Sequence, residues 1–431
     1  MTAVPLTSRV QPVSPTALAR RFCGSDLAIA RLALPFVAAL AISRRPTTLL
    51  SPQFYAEDGA DTYASAYNRG LDSLTQPIAG YWQALNRLLG LLASQLPLTA
   101  AATFFAVVGI ACALLPVAIL LWSSRARTVV ADARLRVGLA ITYVCIQPPE
   151  LRFSVTNAQW HLVVAALLVV LLPRASGRGG RATDLTVVAL TATSGPLGLA
   201  LVPPAAVEVW RRRDRRSLAV LALLVAGSAI EIGTYLTVTR RGVDARHSGD
   251  SGASLRALPE LIASRVFVSF SGGPGVPLGG VAGIALVVVV GTFVVIAALW
   301  QGPRLLRWLL VVGGFALSIG LTHPYAALGG SHTAWYAMLH QDAYQRYFFL
   351  ADLAWTGALV WLASRVRRQR ALACTAVLLI GLWFSAGDWT DRVLPAPHLD
   401  GQQARLDAAV PGSAVVIPIT PERWQMRLVR H

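Results

Sequence analysis

The feature that most constrains this chain is the recurrence of apolar stretches about as long as a bilayer is thick. A helix needs roughly 20 apolar residues to cross the hydrocarbon core. Such runs fall near 27–48, 99–122, 136–149, 157–172, 217–239, 279–300, 304–322, 347–364 and 371–387. The segment 184–210 lies between two Arg-rich loops, so it should cross twice or not at all. It is broken at Thr193-Ser194-Gly195-Pro196, which predicts two short helices meeting within the membrane. Broken helices are tolerated there where they line a cavity or pack on protein. The sum is an all-α polytopic membrane protein of about eleven spans, with its N-terminus inside and its C-terminus outside.

Composition supports this reading. Of 431 residues, 55% are hydrophobic and 14% charged, and the mean hydropathy is +0.56. Soluble domains run near a quarter charged. The apolar runs carry no heptad or collagen-like period. The four cysteines, Cys23, Cys112, Cys145 and Cys374, are far apart and form neither a metal spacing nor a disulfide framework. The first long apolar run begins near Leu27, after Arg9, Arg20 and Arg21, and reads as a retained span rather than a cleaved signal.

All 38 basic residues are Arg, and the net charge is +17. In a soluble protein that balance suggests nucleic acid. Here the distribution fits the positive-inside rule, and no nucleic-acid partner is expected. The segments assigned inside hold 21 Arg and five acids (Asp26, Asp132, Asp184, Glu208, Asp214), whereas those outside hold 16 Arg and 14 acids. All seven His fall outside or at outer span ends, so the chemically capable residues collect on the outer face. Its first long segment, about 44–98, carries Leu85, Leu88, Leu89, Leu92 and Leu96 at helical spacing. That spacing predicts an amphipathic helix along the membrane surface. Beyond a membrane domain spanning 1–386, residues 387–431 form a short outer tail with one predicted strand, Ala414–Ile419.

Four clusters on the outer face could carry chemistry. The first is Phe54-Tyr55-Ala56-Glu57-Asp58-Gly59, directly after the first span. Adjacent acids at a membrane surface repel each other and are costly to desolvate. They are useful if they take a proton from a hydroxyl or hold a divalent cation such as Mg, Mn or Ca. Gly59 permits a turn that aims both at one site; the plainer reading is a solvated Asp-Gly turn. The second is Asn157-Ala158-Gln159-Trp160-His161 at the head of a span, where Asn157, Gln159 and His161 could bind a sugar or a pyrophosphate and Trp160 reads as an anchor. The third loop carries His323, His332, Trp335, Tyr336, His340, Tyr344, Arg346 and Tyr347. Aromatic faces with interspersed donors suit carbohydrate, and Arg346 at a span boundary suits a phosphate. The alternative is an aromatic belt with a snorkelling Arg. The fourth is Arg240-Arg241, which with Arg246, His247 and Arg265 could bind an anion or simply attract lipid headgroups. Glu231, inside a span, is a functional candidate or the partner of an Arg.

An early outer loop with adjacent acids, about eleven spans and a basic inner face resemble the C-type glycosyltransferase (GT-C) superfamily. The residue-level match is Glu57-Asp58 in the first outer loop, where that family keeps its catalytic or metal-binding acids. Asn157–His161, Arg346-Tyr347 and Ile417–Trp424 are similar to segments of actinobacterial members, and Arg without Lys fits a high-GC bacterium. The resemblance implies a multi-pass enzyme of the bacterial plasma membrane that works on the extracytoplasmic face. It would move a sugar, such as arabinofuranose or mannose, from a polyprenyl-phosphate donor to a glycan or lipid acceptor of the cell envelope. Asp58 or Glu57 would deprotonate the acceptor. Arg346, with Arg240 or Arg241, would stabilise the departing phosphate. Asn157, Gln159, His161, His332, Tyr336 and Tyr347 would contact substrate, and a divalent cation at Glu57 and Asp58 is optional. Two other classes stay open: a lipid or polysaccharide transporter, which the break at 193–196 suits, and a ligase or polymerase using pyrophosphate-linked lipid, which would centre on the Arg and His loops.

Overall fold

The computed structural model describes residues 15–151, 153–240, 251–268, 278–323, 332–341, 344–365, 375–376, 379, 398–422 and 424–431. The architecture is a helical bundle with one small hairpin. Four described helices are long and apolar enough to cross a membrane: Leu98–Trp122, Arg215–Arg240, Gly280–Gln301 and Arg304–Thr322. The last three have much of their surface open, and Gly280–Gln301 carries exposed Val281, Leu286, Phe293 and Trp300. Such a face is stable only against an apolar solvent.

The expected spans at 136–149, 157–172 and 347–364 are shorter helices, Ala133–Cys145, Ala158–Leu171 and Phe349–Ser364. Their 13, 14 and 16 residues fall short of a full crossing at 1.5 Å per residue. Ala158–Leu171 is buried along nearly its whole length and forms the centre of the main apolar core. The first helix runs Pro15–Ser43, and the expected span at 371–387 lies almost wholly outside the described residues. At 184–210 the chain forms Arg178–Ala192, a 3₁₀ turn at Pro196–Leu201 and Val202–Arg212, interrupted at 193–195.

The leucine-rich stretch forms helix Ala84–Ala93, with Leu85 packed on Ala158 and Leu162 while Leu88 and Leu92 stay exposed. The C-terminal segment forms helix Leu399–Asp407 and an antiparallel hairpin, Ala414–Pro418 with Gln425–Val429. Its inward residues Val415, Ile417, Met426 and Leu428 share one apolar cluster with Phe54, Tyr63, Leu98 and Phe105. The tail is therefore packed against the acid-bearing loop and the start of the Leu98–Trp122 helix.

The two ends of the bundle differ in charge. Ala158–Leu171 and Arg304–Thr322 each have one terminus beside the acid loop's neighbours and the other among arginines. At that second end Arg125 and Arg216 pair with Asp184, and Arg212 and Arg304 pair with Glu208. Arginine-rich segments far apart in sequence thus converge.

Candidate active site

The acid loop is held by the tail. Thr420 donates its N–H and its hydroxyl to the Phe54 carbonyl at 3.1 and 2.9 Å, and its carbonyl accepts the Ala56 N–H. Phe54 is buried against Tyr63, with ring centroids 4.8 Å apart. The chain then turns at Ala56, which takes the positive φ of 46°, and enters a single π-helical turn, Asp58–Tyr63. Gly59 is thus not the turning residue. It is required by close approach, since a Cβ there would sit 2.8 Å from Ile419 Cδ1 and 2.9 Å from Phe54 Cβ.

Asp58 and Glu57 are both buried, at 2% and 4% exposure. Asp58 is fixed by the segment preceding Ala158–Leu171. Its Oδ1 accepts the Thr156 N–H and hydroxyl, both at 2.7 Å, and its Oδ2 accepts the Val155 N–H at 3.2 Å. That segment is itself pressed against Gly109, where a Cβ would meet the Phe153 carbonyl carbon at 2.5 Å. Burial pushes the Asp58 pKa up to about 7; the Thr156 and Val155 donors oppose the shift and neighbouring Glu57 adds to it. A carboxyl poised there can accept a proton at neutral pH.

The two acids open on different clefts. Glu57 lines one of about 690 Å³ together with Gln83, Asn157, Gln159, His323, Arg346 and Tyr347. Asp58 lines another of about 520 Å³, rich in hydroxyl and amide groups from Thr47, Thr48, Ser51, Gln53, Tyr55, Ser154 and Thr420. Thr156, which lines the first cleft, joins the two through its bonds to Asp58.

Arg346 enters the Glu57 cleft from the turn Gln345–Tyr347. Glu150 orients it, accepting its backbone N–H at 3.0 Å and lying 3.7 Å from Nε, and its guanidinium sits 5.4 Å from the Tyr347 ring centre. Burial works against its charge, but Glu150 above all, with Tyr347, Glu57 and Tyr55, outweighs this and holds its pKa above the ordinary arginine value. Asn157 commits its amide N–H groups to the Glu150 carbonyl and Ser154 Oγ, both at 3.0 Å. Its Oδ1 is buried and has no partner among the described residues, and Asn157 lines the cleft, so it is an acceptor available to a ligand hydroxyl.

The opposite wall is the helix break. Gly195 has φ +130°, and a Cβ on it would lie 2.1 Å from Gln159 Oε1. Glu231 accepts the N–H of Gly195 at 3.1 Å and of Trp82 at 2.9 Å. It ties the 78–83 loop to the break, and among the described residues it pairs with no arginine.

Six residues singled out in the sequence therefore meet at this cleft: Glu57, Asn157, Gln159, His323, Arg346 and Tyr347. Trp160 also lines it, edge-on to Tyr347 at 5.8 Å, instead of anchoring in lipid. The others lie elsewhere. His161 is buried with Nδ1 2.7 Å from the Tyr143 hydroxyl, because its place one helical step past Trp160 turns it into the core. His332 and Tyr336 stack at 4.5 Å on the exposed face of helix Ala334–His340. Arg240 is exposed at the end of its helix, and Arg241 lies outside the described residues. Sequence reasoning noted Glu150 beside the Asn157 cluster without giving it a role, and it missed Thr156 and Gln83, since a lone Thr or Gln carries no motif.

The acids fit a resident divalent cation poorly. Asp58 already accepts three hydrogen bonds, and it lines a different cleft from Glu57. Among the described residues no group of three or more His, Cys, Asp or Glu converges.

No family model matches the sequence, and no curated protein matches it. Among solved structures, the crystal structure of the Archaeoglobus fulgidus oligosaccharyltransferase in complex with Zn and sulfate is similar at 13% identity and a TM-score of 0.39. The match covers 83% of this chain and 53% of that one, so this chain spans about half of its length. The likeness is loose in both sequence and shape.

Proposed function

We propose that this protein is a membrane glycosyltransferase that moves a sugar from a polyprenyl-phosphate donor to a hydroxyl of a glycan or lipid acceptor. The observation that carries the reading is the Glu57-Asp58 step. One carboxylate faces an arginine-bearing cleft, and the next, tuned to titrate near neutrality, faces a hydroxyl-rich one.

In this reading the donor phosphate lies against Arg346, and the sugar is met by Asn157 and Gln159 beside the aromatic faces of Trp160 and Tyr347. The acceptor enters the Asp58 cleft. Each carboxylate oxygen has about two acceptor positions, so Oδ2, with one bond filled, takes the acceptor proton. The acceptor oxygen bonds to the anomeric carbon while the bond to the phosphate oxygen breaks. The electron pair leaves on the phosphate, and the Arg346 fork stabilises its growing charge. Glu57 offsets positive charge that develops on the sugar ring. A divalent cation would supply further phosphate stabilisation; the roles given above do not depend on one.

The positive-inside rule places the arginine-rich end in the cytoplasm of a bacterial plasma membrane, and the acid clefts and the 387–431 tail on the extracytoplasmic side. Residues 1–386 are then the catalytic membrane domain. The test is transfer from radiolabelled polyprenyl-phosphate sugars to cell-envelope acceptors by purified protein. Donor-dependent transfer that Asp58→Asn abolishes without loss of membrane insertion is expected. Uptake without transfer, or use of pyrophosphate-linked oligosaccharide alone, refutes the reading.

A further inference from the structure

At the arginine-rich end, far from the acid clefts, the bundle holds a third, solvent-open cavity, about 790 Å³ with its mouth included, that the proposed reaction does not use. One part of its wall is apolar, made by Val129, Leu171, Pro173 and Leu305; the polar part is Arg212, Arg304 and Thr128. We propose that this cavity binds the phosphodiester headgroup of an anionic phospholipid, with the upper part of its acyl chains against the apolar wall.

The charge balance favours an anion. Four guanidinium groups gather here, Arg125, Arg212, Arg216 and Arg304, and two carboxylates, Asp184 and Glu208, pair with them. Arg307 follows Arg304 one turn on. Some of the donors are already used. Arg212 donates to Glu208 and to the Leu171 and Leu172 carbonyls, and Arg216 to Asp184 and to the Leu172 and Val169 carbonyls. Those bonds cap the end of the Ala158–Leu171 helix. They leave two of the five N–H groups of Arg212, and Arg304 is about a third exposed with Glu208 as its partner. Both arginines line the cavity, and even counting Asp214, whose charge acts on Arg212, the four guanidinium groups outnumber three carboxylates.

The shape selects an amphiphile. Arg304 is the first residue of a helix long and apolar enough to span a membrane, so the cavity sits at the depth where headgroups meet hydrocarbon. A soluble anion has no use for a wall of Leu171, Leu305 and Val129. Basic pockets between membrane helices bind anionic headgroups on the same principle.

The experiment is a titration of protein in neutral-detergent micelles with fluorescent phosphatidylglycerol. Phosphatidylcholine and sodium phosphate serve as competitors, for wild type, Arg304→Gln and Leu305→Trp. Phosphatidylglycerol should bind saturably, and a large excess of phosphatidylcholine or phosphate should not displace it. Arg304→Gln should weaken it about 10-fold or more, the loss of one charge-assisted contact. Leu305→Trp, which keeps every charge and fills the cavity, should weaken it too. Competition by phosphate alone would make this a free-anion site and overturn the lipid assignment. Equal binding of phosphatidylcholine, or unchanged affinity in both variants, would overturn the site. Glycosyl transfer is not part of the readout, so the result stands apart from the proposed activity.

Discussion

Replacing Thr156 by Val removes one hydroxyl and almost no volume, and it should move the pH dependence of the reaction. Thr156 Oγ donates to Asp58 Oδ1 at 2.7 Å, whereas the two backbone donors, Val155 and Thr156 N–H, remain in the variant. A hydrogen bond to the ionised carboxylate lowers its pKa, so its loss raises it from about 7. A bond to a charged group is worth about 1.5–3 kcal/mol, or roughly one to two pH units. A general base acts ionised, so kcat/KM rises with pH through this value. In wild type about half of Asp58 is ionised at pH 7; in the variant the fraction falls to roughly 9% or 1%, a loss of about 5- to 50-fold. Raising the pH should recover the rate. The assay is kcat/KM for transfer from a polyprenyl-phosphate sugar between pH 5 and 9.5. An acidic limb that stays in place while the rate drops equally at every pH would refute the assignment of Asp58 as the titrating base.

Other outcomes follow from the same geometry. Arg346→Ala should raise the donor KM about 10- to 150-fold, the value of one lost charge-assisted contact, and Arg346→Lys should recover only part of it because the fork is gone; donor titrations of both variants check this. Gly195→Ala combines an unfavourable φ of +130° with a clash on Gln159, and should cost on the order of 1–3 kcal/mol, seen as a lower thermal midpoint. Gly59→Val presses on Ile419 and Phe54 and should lower activity by displacing the acid loop from the tail, read as loss of transfer at normal expression. Reporter fusions at Ser176 and Ser251 should report the cytoplasmic and extracytoplasmic sides respectively, and the same side for both would break the topology.

The helices were legible because hydrocarbon imposes a long, continuous signal, and four of the runs return as helices of spanning length. Interruptions were legible where Gly and Pro stand together, as at 193–196. Less legible were helices shortened by burial: Ala158–Leu171 is enclosed by protein, and irregular backbone on either side of it finds partners there instead of lipid. The second strand, Gln425–Val429, shows the limit of period-two patterning in a short run. Met426 and Leu428 face inward, but five residues without a turn motif give little to read. In the site, chemistry-bearing residues could be picked out while their aim could not. His161 and Asn157 lie four positions apart, yet one points into the core and the other into the cleft. Thr156 matters only because folding brings it to Asp58.

One pattern unites the irregular segments around the clefts. Backbone that leaves a helix inside a membrane protein must find partners for its N–H groups, and here carboxylates supply them. Glu231 accepts from Trp82 and Gly195, and Asp58 from Val155 and Thr156. Both acids therefore have a structural task, and Asp58 in addition lines a cleft where a ligand can reach it. The two tasks are compatible because Oδ1 carries both Thr156 bonds, while Oδ2 accepts only the longer Val155 bond and keeps a second acceptor position for a proton. The loop then keeps its position through a cycle of protonation. With two bonds on one oxygen and one on the other, Asp58 keeps a free acceptor position on Oδ2, so the proposed base can take a proton without unfastening the segment that buries it.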